Sequence, residues 1–391
     1  MLRPAATLSL VLLANQAAAL VLSPILVDVA REFDVSTGTA GQLRAISGGV
    51  AGAAALTVGV LADRLGLKRL LLGGLALLSA ACGASAAAPS FAVLAAAQAL
   101  LGVALAILLA GGVAGAVAWI PPERRAGALS LAFSGQALAW ILGMPVVGLV
   151  GAVSWRLAWV ALPIAAAVVA FARVASLPAV RSARTSFGSD LALLRDRVVA
   201  RWALGELLAF SAWTGMLVFS GALLIESYGL SLRATGLLLG LVFLAYFPGS
   251  FLFSRLIDRH PRRLLVVLAL AAAAVAGTIG AARPSAYATV PLLALFVFLN
   301  SGRTIAGSAF GLDAAPGRAV AAMGLRTSAT QLGYLVGSGL GGLALHLGGY
   351  RAAGATFAAL YLLAVAPHTG LGLTRARVAR QRTGEVGSSG G

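Results

Sequence analysis

Two ionisable residues sit in stretches with few other charges: Glu206 in R-W-A-L-G-E-L-L-A-F and Arg303 in F-L-N-S-G-R-T-I-A-G. Arg326 occupies a similar setting further on. A carboxylate and a guanidinium there can pair, hold a polar ligand or exchange a proton, and such groups are functional candidates because lipid tolerates them poorly. A Glu206–Arg303 pair loosened by protonation or by ligand is one reading. A permanent packing ion pair, or two side chains snorkelling toward the interface, is the other. Asn15, Gln16 and Asn300 add hydrogen-bonding capacity or interhelical glue. Trp140, Trp213 and Tyr334 lie deep enough to line an apolar pocket, and Tyr246 is a further candidate, whereas Trp119 and Trp202 read as interfacial anchors.

A second charged group interrupts the apolar pattern early. Gly59 to Leu70 reads G-V-L-A-D-R-L-G-L-K-R-L and brings Asp63, Arg64, Lys68 and Arg69 together with Gly59 and Gly66. Gly66 permits a tight turn, and Lys and Arg at such a turn set membrane orientation. Orientation alone leaves Asp63 and Gly59 without a role. Asp28, Arg31, Glu32 and Asp34 form another charged turn, read as solvated.

These residues have to be positioned by membrane helices. The chain has 391 residues, 60% hydrophobic and 10% charged, against about 25% charged in ordinary soluble domains. Its mean hydropathy is +0.96. The net charge of +17 is dispersed in short clusters between apolar runs, which fits membrane orientation and not nucleic-acid binding. One cysteine, Cys82, and three separated histidines leave no disulfide, no metal-ligand cluster and no expected cofactor.

Apolar runs long enough to span predict helices near 7–27, 40–62, 67–87, 91–119, 126–150, 155–176, 200–224, 232–254, 264–282, 286–310, 319–345 and 351–373. The polar stretch near 178–199 divides them six and six, predicting bundles over 1–177 and 200–373 and a disordered tail over 374–391. At one constant offset the halves superpose: Val35-Ser36 with Leu230-Ser231, Asp63-Arg64 with Asp258-Arg259, Pro89-Ser90 with Pro284-Ser285, and Gln136 with Gln331. The fold expected is therefore an all-α integral membrane protein of twelve helices in two pseudo-symmetric six-helix bundles. Arg31, Arg44, Arg156, Arg233, Arg283 and Arg351 fall opposite the termini, and Arg303 and Arg326 inside spans. The remaining Lys and Arg share the termini's side, which predicts cytoplasmic termini in a cell membrane.

Two parallel six-helix repeats with a charged turn after the second span resemble the major facilitator superfamily of secondary transporters. The Gly59–Arg69 turn is similar to its signature loop, with a degraded copy at Asp258-Arg259. The resemblance implies a latch holding the halves together on the cytoplasmic side. The fifth span, S-G-Q-A-L-A-W-I-L-G-M-P-V-V-G-L-V-G, carries Gly135, Gly143, Pro145, Gly148 and Gly151. It is similar to the glycine-and-proline motif of proton-coupled antiporters, in the drug-antiporter and sugar-efflux branch. Physically, such a pattern gives a close, kinked helix seam. The branch usually has an arginine in the fourth span, four residues before a glycine; here Gln98 precedes Gly102.

The resemblance implies a central cavity lined by spans 1, 4, 7 and 10, where Glu206 and Arg303 could meet. The activity it implies is alternating-access efflux of a small, amphipathic drug-like or sugar-like molecule, coupled to protons. Open alternatives are a facilitator or importer and, from another class, a non-transporting sensor or scaffold. Expected partners are that small molecule, protons and the bilayer, for a monomeric chain that is not an enzyme.

Overall fold

In the computed structural model, residues 2–121, 124–180, 192–256, 261–282, 285–316 and 318–369 are described. Asp258, Arg259, residues 181–191 of the expected linker and the expected tail lie outside them. The described residues form twelve membrane-spanning helices. In the first half, α1 comprises Leu2–Leu20 continued by Leu22–Glu32, α2 is Thr37–Leu65, α3 Leu67–Ala86, α4 Phe91–Ala118 and α5 Arg125–Gly151. α6 runs Trp155–Trp159, then a π-turn at Val160–Ile164, then Ala165–Ala175. In the second half, α7 is Arg197–Tyr228, α8 is Leu232–Leu244 continued by Tyr246–Leu256, α9 Pro261–Ala282 and α10 Ala286–Ala314. The last continuous helix, Ala319–Val365, folds back at Gly348-Gly349 into α11 (319–347) and α12 (350–365).

Ten helical stretches are long and apolar enough to cross a bilayer. α11 and α12 count there as one, and α2 is the remaining helix, with no charged residue between Ala45 and Ala62. Alternate ends of the helices define two faces. The terminal face holds Leu2 and the end of α12; the distal face holds Glu32, Thr37, Gly151 and Tyr228.

Local chemistry sets the ends. Ser36, Ser90, Ser231 and Ser285 each accept a hydrogen bond at the start of a helix, from the N–H of Thr39, Val93, Ala234 and Ala288 respectively. Such caps satisfy N–H groups that a helix start leaves unpaired. Ser36 pairs with Ser231 and Ser90 with Ser285 in the internal repeat, so the repeated landmarks are caps of α2, α8, α4 and α10. Gly66 ends α2 at φ 81° and Gly349 turns α11 into α12 at φ 63°, conformations that suit glycine.

Prolines account for the interruptions. Pro24 and Pro248 each follow a break by three residues, at Val21 and Ala245, and Pro163 sits in the π-turn. A proline lacks the N–H that would bond one turn back, which frees the carbonyls of Leu20 and Leu244.

The halves meet where α2 packs on α11, α5 on α8 and α1 on α7. α2 lies on α11, where a Cβ on Gly38 would come 2.4 Å from the Gly342 carbonyl oxygen, and Gln42 Nε2 donates to the Gly339 carbonyl at 3.2 Å. α5 lies on α8, and a Cβ on Gly148 would come 2.7 Å from the Gly236 Cα. Close backbone approach of this kind joins helices in lipid, where apolar burial gives no drive. Ser23, deeper in the distal half, also donates to the Leu217 carbonyl, and at the distal face Thr37 donates to Glu226.

Candidate functional site

The charge cluster is built on α7 and α10, which run antiparallel. Trp202, Glu206 and Phe210 follow one another four residues apart on α7, and so share one face. Opposite them on α10 stand Gly311, Gly307 and Arg303, also four apart. Gly311 makes room for the Trp202 ring: a Cβ there would lie 2.1 Å from it. Gly307 makes room for the Glu206 carboxylate, with a Cβ 2.4 Å from Oε1. Trp202 Nε1 donates to the Gly307 carbonyl at 2.9 Å.

Into this slot Arg303 Nη1 donates to Glu206 Oε1 at 2.7 Å. From α11, Arg326 Nε donates to Glu206 Oε2 at 2.9 Å and its Nη2 to the Thr304 carbonyl at 3.0 Å. Both guanidinium carbons lie over the Phe210 ring, 4.8 and 5.0 Å from its centre. Glu206 is fully buried and the Arg303 and Arg326 side chains are 3% and 15% exposed, so none snorkels to the interface. Two guanidiniums around one carboxylate leave an excess positive charge. Arg326 is an equal partner of Arg303, each taking one Glu206 oxygen.

The fifth-helix motif divides by function. Gly135 packs on the Ser9 carbonyl of α1 and Gly143 on Leu20 and Leu162, all within the first half. Pro145, Gly148 and Gly151 meet Gly240, Gly236 and Leu232 of α8, across the halves.

A family model described as Major Facilitator Superfamily matches residues 8–223 and again 202–386. The chain belongs to the Major Facilitator Superfamily. It is 29% identical over 351 residues to a transcription regulatory protein, OpdE, of Pseudomonas aeruginosa, covering 87% of this chain and 86% of that protein. It is also 29% identical to a chloramphenicol resistance protein of Streptomyces lividans, over 63% of this chain and 64% of that one. Among solved structures, a D-xylose–proton symporter superposes with a TM-score of 0.76 at 13% identity, covering 94% of this chain and 97% of that one. An inward-facing bacterial homologue of the lysosomal transporter Spinster gives 0.73 at 15% identity, covering 93% of each chain.

Within this superfamily fold, the other expected residues separate into ties and open groups. Asn15 Nδ2 donates to the Leu105 carbonyl at 2.9 Å, tying α1 to α4. Asn300 accepts from the Tyr361 hydroxyl at 2.6 Å and donates to the Phe296 carbonyl at 2.8 Å. Gln98 is fully buried and donates to Ser85 at 3.0 Å, inside the first half. The Gln16 amide nitrogen is buried without a partner.

Aromatic rings form a ladder through the middle. Trp140 of α5 stacks on Phe243 of α8 with centres 4.2 Å apart. Trp213 meets Phe243 edge-on and stacks on Phe296 at 5.5 Å. The first step crosses between the halves.

In the charged turn, Lys68 Nζ donates to the Ala175 and Leu177 carbonyls at the end of α6, at 2.7 and 2.6 Å. A cation there complements the helix C-terminus. Asp63, Arg64 and Arg69 are exposed, and Asp63 has no hydrogen-bond or ion-pair partner among the described residues. Gly59 lies in the backbone of α2.

Three readings need correction. Trp202 is no interfacial anchor but a fully buried wall of the charge cluster. Glu32 is not merely solvated, since it accepts from Trp155 Nε1 and pairs with Arg156. Arg44 is more than an orientation charge: it is 2% exposed, with its guanidinium 3.6 Å over the Tyr334 ring of the other half. Its position four residues inside the expected second span was the available signal.

Proposed function

We propose that this chain is an alternating-access exporter of a small molecule, with cytoplasmic termini and the terminal side open in this conformation. The observation that carries the reading is the α5–α8 seam. The residues similar to the antiporter motif, Pro145, Gly148 and Gly151, are the ones that close the distal route against the second half. Among the described glycines of α2, close approaches to α11 run from Gly38 against Gly342 to Gly52 against Leu332, about 21 Å along α2 at 1.5 Å per residue. At the terminal face, Lys68 and Arg201 each bond within their own half. Similarity to a chloramphenicol resistance protein supports an exported, drug-like cargo.

Proton coupling would run through Glu206, the buried carboxylate among the described residues. Its protonation removes the counter-charge from Arg303 and Arg326 and so favours a conformation that separates or rehydrates them. Gln98 favours a second reading, a facilitator without proton coupling: the neutral amide donates to Ser85 inside one half and carries no charge.

The test is purified protein in liposomes with an imposed pH gradient and a substrate panel that starts with chloramphenicol. Export predicts cargo flux that follows the gradient and reverses with it. Flux that ignores the gradient replaces the exporter with the facilitator; no flux of any cargo favours a non-transporting role, as the name of the regulatory relative suggests.

A further inference from the structure

We propose that the transported substrate is an organic anion, and that Arg44 of α2 is the cation that receives its acidic group. The inference rests on the transporter reading and adds the chemical class of the cargo.

Charge balance is the first support. Among the described residues inside the spans, the guanidiniums of Arg44, Arg303 and Arg326 face one buried carboxylate, Glu206. Unmatched buried charge is strongly unfavourable unless a counter-ion joins it. The excess is divided: the Glu206 cluster is short of one negative charge, and Arg44 has no carboxylate at all.

Open donors are the second support. Arg44 Nη1 donates to Ser47 Oγ at 2.8 Å, whereas its Nε is buried with no partner. Arg303 Nε is likewise unpartnered. The forked guanidinium suits a planar carboxylate, which accepts two parallel N–H groups. At 2% exposure Arg44 does not snorkel into water.

Location is the third. Arg44 belongs to one half, and Tyr334, which covers one face of its guanidinium, to the other. One turn further along α2, Gly48 packs directly on Tyr334: a Cβ there would lie 2.7 Å from the tyrosine Cβ. A ring face attracts a cation without neutralising it. Parting of α2 from α11 removes Tyr334 and bares the guanidinium toward the distal side. In the conformation seen here Tyr334 holds the place, and the carboxylate of an outward-moving cargo takes it as the seam opens, before release on the distal side. The ladder of Trp140, Phe243 and Trp213 offers stacking surface for an aromatic body, so benzoate, with benzamide as its neutral counterpart, is the probe.

Thermal unfolding in detergent gives the first measurement. Benzoate is expected to raise the midpoint of the wild-type protein, while benzamide, or chloride at the same concentration, does not. Arg44→Gln is expected to abolish the benzoate effect without lowering the ligand-free midpoint, because it deletes an unmatched charge. A lowered midpoint in Arg44→Gln with no benzoate effect in wild type makes Arg44 a strut and overturns the proposal; an equal rise with chloride makes the site one for an inorganic counter-ion.

Flux from liposomes gives the second. Benzoate should exceed benzamide by about ten- to hundredfold, the scale of a charge-assisted hydrogen bond, and Arg44→Gln should erase that preference. Chloramphenicol or benzamide carried with no benzoate preference overturns the anion but keeps the transporter. Absence of flux for all three removes both.

Discussion

Glu206 is the residue on which the charge cluster depends, because both of its oxygens are engaged by guanidiniums. Glu206→Gln leaves two buried cations without a counter-charge and should cost about 3–5 kcal/mol, read as a lowered unfolding midpoint. Adding Arg303→Gln to it should restore part of the loss, since one stranded charge disappears. Exchanging the pair, Glu206→Arg with Arg303→Glu, separates the two roles: a static brace keeps transport, and a coupling site loses it. At this scale the sequence revealed the isolated carboxylate and arginines, because a charge in an apolar run is conspicuous without any alignment. It could not reveal that Trp202 walls the slot, since a tryptophan near a helix end is compatible with an anchor until Gly311 is known to face it.

Among the helices, α5 and α8 make the sharpest case. A methyl group on Gly148 would press on the Gly236 backbone, which has no flexible side chain to move aside. Gly148→Ala should therefore abolish or severely reduce liposome flux while the protein still inserts. Gly73→Ala is the matched control, because a Cβ there meets nothing within 4 Å, and its effect should be neutral or stabilising by up to about 1 kcal/mol. The twelve helices were legible because hydropathy over some 20 residues is a strong signal. Their interruptions at Val21 and Ala245 were also written in the chain, three residues ahead of Pro24 and Pro248, but a run that stays apolar through a break reads as one span. The fold-back at Gly348-Gly349 was expected as a loop and is instead two glycines with almost no chain between α11 and α12. Which fifth-helix glycines face the partner half depended on packing, and spacing alone did not divide Gly135 and Gly143 from Gly148.

Across the whole molecule, the distal seams and the unpartnered Asp63 belong to the same state. If Asp63 latches the terminal side only when that side closes, the residue contributes nothing to the conformation seen here. Asp63→Asn should then leave the unfolding midpoint within about 0.5 kcal/mol of wild type, as for a surface substitution, and still lower transport. A variant that transports normally removes the latch. A variant that unfolds early places Asp63 in the resting architecture instead.

The stack of Trp140 on Phe243 has an optical consequence. One ring belongs to each half, so a conformation that parts α5 from α8 must change the surroundings of a single indole. Intrinsic fluorescence of that tryptophan, isolated by replacing it with phenylalanine and subtracting, would follow each cycle in real time without a label. The seam thus carries its own gauge, and the rate at which the halves separate becomes readable apart from the movement of any cargo.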